Sequence, residues 1–248
     1  MQREPSSDGG HAQGANAQNP CGLLIIGLKL FAEMSTSFTA LIAPRPADFD
    51  ALAFLQKVAH PEVAEVPAKD ARNPKSGFDH RDTECYEIGM DDQWVWIKNY
   101  DYTERFFKRN PTTLNKAYEA LGKPTQLLVV KEYDNSGDYG FALYTEGKFS
   151  RLFNASIGDV DEAGAILPEE KPWLEGKIEE EEDDDGDVWR TYINSETGMS
   201  CEEEDLGLEL TRCVMKARIG LMSEDLERKR EGMRYFKLPV QQKRRKEE

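Results

Sequence analysis

Gln126-Leu-Leu-Val-Val-Lys-Glu-Tyr133, Tyr139-Gly-Phe-Ala-Leu-Tyr-Thr145 and Lys148-Phe-Ser-Arg-Leu-Phe-Asn-Ala155 follow one another closely, the last two parted only by Glu146-Gly147. β-Branched and aromatic residues fill these runs and a glycine sits in the two-residue connection, so the pattern predicts a buried strand followed by a β-hairpin. Just upstream, Leu114, Ala117, Tyr118 and Leu121 recur at helical spacing; Thr112 or Thr113 can cap that helix, and Gly122 and Pro124 close it. Further upstream, the runs Cys85 to Met90 and Trp94 to Lys98 flank Asp91-Asp92 as a second hairpin. Residues 38–43 read as an opening strand. Pro44-Arg-Pro then leads into a helix with Phe49, Leu52, Leu55 and Ala59 on one face and Asp48 and Asp50 in its first turn, ended by His60-Pro61. Residues 61–82 combine charges with turn formers and read as a loop. This order of elements implies an α+β protein: an antiparallel or mixed sheet with helices packed on one face.

Charge divides the chain unevenly. Between Asp159 and Asp205 nineteen carboxylates face only Lys171, Lys177 and Arg190, so this segment carries −16 where the whole chain carries −15. Its centre, residues 179–187, holds eight acidic residues broken only by Gly186. Such a block repels itself too strongly to enter a core, and residues 177–187 are expected to form an acidic loop in solvent. After it, residues 188–193 read as a strand. Ser200 with Glu203 makes a capping box for a helix striped by Leu206, Leu210, Cys213, Val214 and Ala217, and residues 224–234 extend as a charged helix. The expected organisation is a disordered or upstream extension over 1–33, an α+β core over 34–176 and the acidic loop over 177–187. A strand with C-terminal helices docked on the core follows over 188–234, then a basic tail over 235–248. Residues 227–248 hold nine basic and four acidic side chains.

These numbers exclude several classes. A pI near 4.8 argues against general affinity for nucleic acid or an anionic membrane, because phosphate binding draws on Lys and Arg. The apolar run at residues 22–32 contains Lys29 and falls short of the ~20 residues that span a bilayer. It also lacks the basic start and small-residue cleavage site of a secretory signal. Cys21, Cys85, Cys201 and Cys213 are scattered, with His11, His60 and His80 as the only histidines, so neither a disulfide framework nor a zinc cluster is expected. The expected compartment is the reducing cytoplasm, and no cofactor is expected.

Candidate chemistry is sparse. Residues 159–170 place Asp159, Asp161, Gly164, Ile166 and Glu170 at calcium-loop positions, but Ala163 and Leu167 occupy ligand positions without a side-chain oxygen. Around Gly186 a second such loop lacks its bidentate Glu, which is Tyr192. No metal site is expected from either. Gly147-Lys148 is misspaced for a phosphate loop, and a Cys85 and His80 dyad rests on proximity alone. Trp94 and Trp96 alternate onto one strand face and are read as core. Thr191-Tyr-Ile-Asn-Ser-Glu-Thr197 is similar to the middle strand of a proline-binding WW module, with Trp173 as a first signature residue. Glu202 occupies the place of the later Trp that such a groove requires.

Residues 139–173 resemble a group of uncharacterised bacterial α+β proteins that share a Gly-x-x-x-Arg-x-x-x-x-Ser hairpin and a Gly-x-x-Leu-Pro-x-Glu turn. Gly147, Arg151, Ser156, Gly164, Leu167, Pro168 and Glu170 carry the match, while Leu152 replaces a usual Ser. The resemblance implies a fold and a bacterial origin, and no mechanism. Arg151 stands on a strand where it can fork onto Glu170 or Glu169 as a structural ion pair or hold a ligand.

The functional expectation is therefore a cytosolic, non-catalytic binding module, of the immunity or regulatory type, whose acidic surface meets a basic protein. Glu179, Glu180, Glu181, Glu182, Asp183, Asp184 and Asp185 would steer the partner, with Trp189 and Tyr192 as desolvated anchors. Two alternatives are a small-molecule enzyme with a pocket around Arg151 and a divalent-cation binding protein.

Overall fold

The computed structural model describes residues 37–71, 84–133, 136–156, 159–182, 186, 188–229 and 232–239. The expected extension over 1–33, His80, Cys21 and the tail from residue 240 lie outside the described residues. β1 (Ser37–Pro44) is the middle strand of a nine-stranded antiparallel sheet, between β4 (Trp94–Lys98) and β5 (Gln126–Tyr133). Six successive β1 residues, from Phe38 to Ala43, are buried. Neighbouring side chains on a strand point to opposite faces, so this run demands a cover on each side. Leu41 and Ala43 enter one core and Phe38, Ala40 and Ile42 the other; β5 repeats the division with Leu127 and Val129 against Leu128 and Val130.

From one edge the strands run β2 (Ala64–Val66), β12 (Arg234–Lys237), β3 (Cys85–Met90), β4, β1, β5, β6 (Asp138–Thr145), β7 (Lys148–Ser156) and β8 (Asp159–Gly164). Three helices cover the first face: α1 (Ala51–Val58), α3 (Tyr100–Phe107) and α4 (Pro111–Ala120). The second face is covered by Trp173 of α5 (Lys171–Leu174), by Leu210, Val214 and Met215 of α6 (Glu203–Ile219), and by Leu226 of α7 (Ser223–Arg228). The α+β class stands, but the helices lie on both faces, not one. A short α2 (Ala68–Ala71) follows β2 in the stretch expected as loop.

Local chemistry explains the helix limits. Asp50 is the N-cap of α1, accepting from the Leu52 and Ala53 amides at 2.9 and 3.2 Å. α4 is capped by Asn110 through the Thr113 amide at 3.0 Å, with Pro111 at its first position, so the cap is neither Thr112 nor Thr113. α3 forms where no helix is expected above; Asn99 caps it, and Tyr102, Phe106 and Phe107, at helical spacing, turn to the core. The expected capping box of α6 is absent, because Ser200 belongs to a strand and Glu202 precedes the helix without a side-chain cap. Its buried stripe runs through Leu206, Leu210, Val214, Met215 and Ile219, leaving Ala217 exposed.

The C-terminal boundary also moves. The charged helix ends at Arg228, and Arg234–Lys237 form β12, inserted between β2 and β3 with Phe236 fully buried. Four residues expected in the charged helix or basic tail are thus part of the main sheet. Polar contacts dock α7: the Ser223 hydroxyl donates to Glu132 at 2.5 Å, and Glu227 pairs with the buried Lys98.

Gly89 faces Trp96 across the β3–β4 ladder, and the indole lies so close that a Cβ there would fall 2.2 Å from a ring carbon. Gly89→Ala should therefore displace the buried Trp96 and cost roughly 1–3 kcal/mol, read as a lower urea midpoint with an unchanged slope. At the hairpin turn, Asp91 accepts from the Gln93 and Trp94 amides and from Lys229 after α7 at 2.5 Å. Burial opposes its ionisation, yet the Lys229 and amide hydrogen bonds prevail and hold the carboxyl below its ordinary 3.8. A depressed folded value adds stability above the unfolded value and loses it as pH falls through the folded one. The stability advantage of the natural chain over Asp91→Asn, followed by urea unfolding, should be constant above about pH 5 and fade below about pH 3.8.

Candidate interaction surface

The acidic run begins as a strand, not a loop. β9 (Lys177–Glu182), β10 (Val188–Ile193) and β11 (Ser200–Glu202) form a second, three-stranded antiparallel sheet in the order β11-β10-β9. Alternation relieves the crowding of charge: Glu179 and Glu181 take one face, Glu180 and Glu182 the other. Arg190 lies across from Glu180 and donates to it at 2.9 Å, and its other arm reaches Glu203 of α6 at 3.3 Å. Those two hydrogen bonds raise the guanidinium pKa above its usual value. Lys177 pairs with Glu179 at 2.5 Å. Glu181 and Glu182 have no ion pair among the described residues, and all six β9 side chains are exposed. Asp183, Asp184, Asp185 and Asp187 lie outside the described residues.

The two expected anchors separate. Tyr192 points inward and packs with Cys201 against the second-face core, and burial raises its hydroxyl pKa. It fastens the small sheet to its own domain and is half-buried there. Trp189, an odd number of residues away on the same strand, faces outward and is 54% exposed. Asn194 builds the β10–β11 turn by accepting from the Glu196 and Thr197 amides, both at 3.0 Å, and the Ser195 amide donates to Pro172 beside the buried Trp173. The meander that a WW module requires is therefore present. Its aromatic groove is not, since Glu202 stands opposite Thr191 on the outer face.

A groove of about 990 Å³ opens beside this sheet. Ser156, Asp159, Val160, Val188 and Trp189 line it, together with Glu203, Glu204 and Asp205 from the first turn of α6. Val160 and Val188 are 57% and 51% exposed. Neither stands out in the sequence, although each follows an acidic residue, as in Asp159-Val160 and Asp187-Val188. The helix dipole of α6 favours the carboxylates of its first turn, where Glu203 also meets Arg190.

Arg151 does different work. It is 1% exposed, and Glu170, at 0%, takes its Nε at 3.1 Å and its Nη2 at 2.8 Å. The second Glu170 oxygen also accepts from the Leu167 amide at 2.7 Å, and Glu162 holds Nη2 at 3.0 Å. Burial works against the charged guanidinium, but the Glu170 and Glu162 hydrogen bonds outweigh it and raise its pKa. Glu169 turns to Arg218 of α6 instead. Arg151 and Glu170 thus tie β7 to the turn before α5. A substrate anion would have to compete with Glu170 and Glu162 for the Nε and Nη2 donors. The same commitment removes Glu170 from the calcium reading, whose first half is the extended strand β8. Among the described residues no group of three His, Cys, Asp or Glu side chains is placed to hold a metal ion. Cys85 is buried, and Trp94 and Trp96 both pack into the second-face core.

No protein-family model, curated protein or solved structure matches the chain. Among the described residues no helix is long and apolar enough to cross a membrane.

The clamp is open to a direct test. Glu170→Gln should destabilise the fold by roughly 3–5 kcal/mol, because it strands a buried guanidinium. The double change Arg151→Met with Glu170→Met should cost less than that single one in urea unfolding, since no uncompensated charge remains.

Proposed function

We propose that this protein is a cytosolic, non-catalytic binding module of the immunity or regulatory type, engaging a basic protein surface through the β9–β10 hairpin and the groove beside it. The observation that carries this reading is the exposed Trp189 and Val188 set next to Glu181 and Glu182, on one strand pair whose carboxylates exceed its cations. Charge of one sign at a rim speeds encounter with an oppositely charged partner. An aromatic side chain then supplies contact area that charge alone does not. An enzyme centred on Arg151 has less support, because that buried guanidinium already gives its Nε and Nη2 donors to Glu170 and Glu162.

The test is capture of partners from native lysate at about 50 mM and about 500 mM salt, where screening lengths differ severalfold. A basic partner is expected at low salt. Glu179→Lys with Glu181→Lys should slow its association about tenfold, and Trp189→Ala should act on dissociation instead. Recovery of no basic protein at low salt, or recovery indifferent to all three substitutions, overturns the reading.

A further inference from the structure

β9 is an open edge. Its only strand neighbour among the described residues is β10, so one side of its backbone is available to a chain lying alongside. The side chains along it run Lys177, Ile178, then Glu179 through Glu182. Residues 243–248 are Lys243, Arg244, Arg245, Lys246, Glu247 and Glu248. Set antiparallel to β9, these six residues bring Lys243 to Glu182, Arg244 to Glu181, Arg245 to Glu180, Lys246 to Glu179 and Glu248 to Lys177. Five of the six cross-strand positions then join opposite charges, each a favourable pairing. A parallel alignment sets Glu247 and Glu248 against Glu181 and Glu182, and two β9 edges laid together oppose glutamate to glutamate.

We propose that the free edge of β9 takes residues 243–248 of a second copy of this chain as an added antiparallel strand, in a reciprocal exchange that closes a two-fold dimer. The inference rests on the preceding reading of this hairpin as a surface for basic chains, and names one such chain. Reach points to a second copy. β12 is second from the far edge, and β6, β7 and β8, whose residues share the groove with Glu181, lie five to seven strands away. At ~4.8 Å per strand that is about 24–34 Å. The chain from Leu238 to Lys243 spans at most about 17 Å. A basic partner would compete with the exchanged tail for the same edge, so the dimer guards a strand edge that is otherwise open.

Sedimentation of the full chain tests this. A dimer is expected at about 50 mM salt and a monomer at about 500 mM. Lys243→Glu with Arg244→Glu should weaken the dimer about tenfold or more, as should Glu181→Lys with Glu182→Lys. All four together restore the opposed charges and should restore the dimer, with amide exchange slowed at residues 177–182. A chain monomeric at low salt, a dimer untouched by tail reversal, or a folded four-site variant that stays monomeric overturns the proposal. A monomer that still captures a basic partner through Glu179 and Glu181 overturns the dimer alone; loss of both defeats the binding reading as well.

Discussion

Burial of the central strands on both faces is the constraint from which the architecture follows. β1 buries six consecutive side chains, and β5 and β6 carry similar runs, so a single helical layer would leave half of them in water. Each buried aliphatic or aromatic side chain is worth roughly 1.5–3 kcal/mol, which makes the second cover obligatory. α6 provides it. The elements C-terminal to residue 176 are arranged to place that cover, since the small sheet leads into α6, α7 returns beneath the main sheet, and β12 closes beside β3.

The treatment of charge differs sharply between the two sheets. In the main sheet, charged groups that enter the interior are matched, as Arg151 is by Glu170 and Lys98 by Glu87 and Glu227. A buried pair of this kind adds little over an apolar core, but it fixes which turn meets which strand. In the small sheet the glutamates of β9 remain in water on both faces, with Arg190 and Lys177 as their near cations. Among the described residues Glu181 and Glu182 thus stay uncompensated on an edge strand, where hydration is cheapest.

β10 also divides its two faces between packing and solvent. Tyr192 on the inner face of β10 secures the small sheet, while Trp189 on the outer face stays exposed beside the acids. A change at the outer position leaves the attachment through Tyr192 intact.

Much of this is legible along the chain. The hairpins at Asp91-Asp92 and Glu146-Gly147, the α4 stripe and the core identity of Trp96 follow from alternation, helical spacing and turn chemistry, which act over a few residues. The fork of Arg151 onto a neighbouring glutamate is legible as a pair of choices, Glu169 or Glu170. Which one it takes depends on where α6 brings Arg218, a residue 49 positions from Glu169. In residues 100–107 the buried Tyr102, Thr103, Phe106 and Phe107 do stand at helical spacing, i, i+1, i+4 and i+5, but so short and aromatic a run suits a strand as well, and spacing alone does not decide it. The acidic stretch reads as loop because net charge predicts solvation, which holds, but says nothing against pairing with β10. Local pattern thus decided many of the elements and the hydrated state of the acids. The second helical face, the insertion of β12 and the inward turn of Tyr192 were decided in three dimensions, because each depends on an apolar surface assembled from residues far apart in the chain.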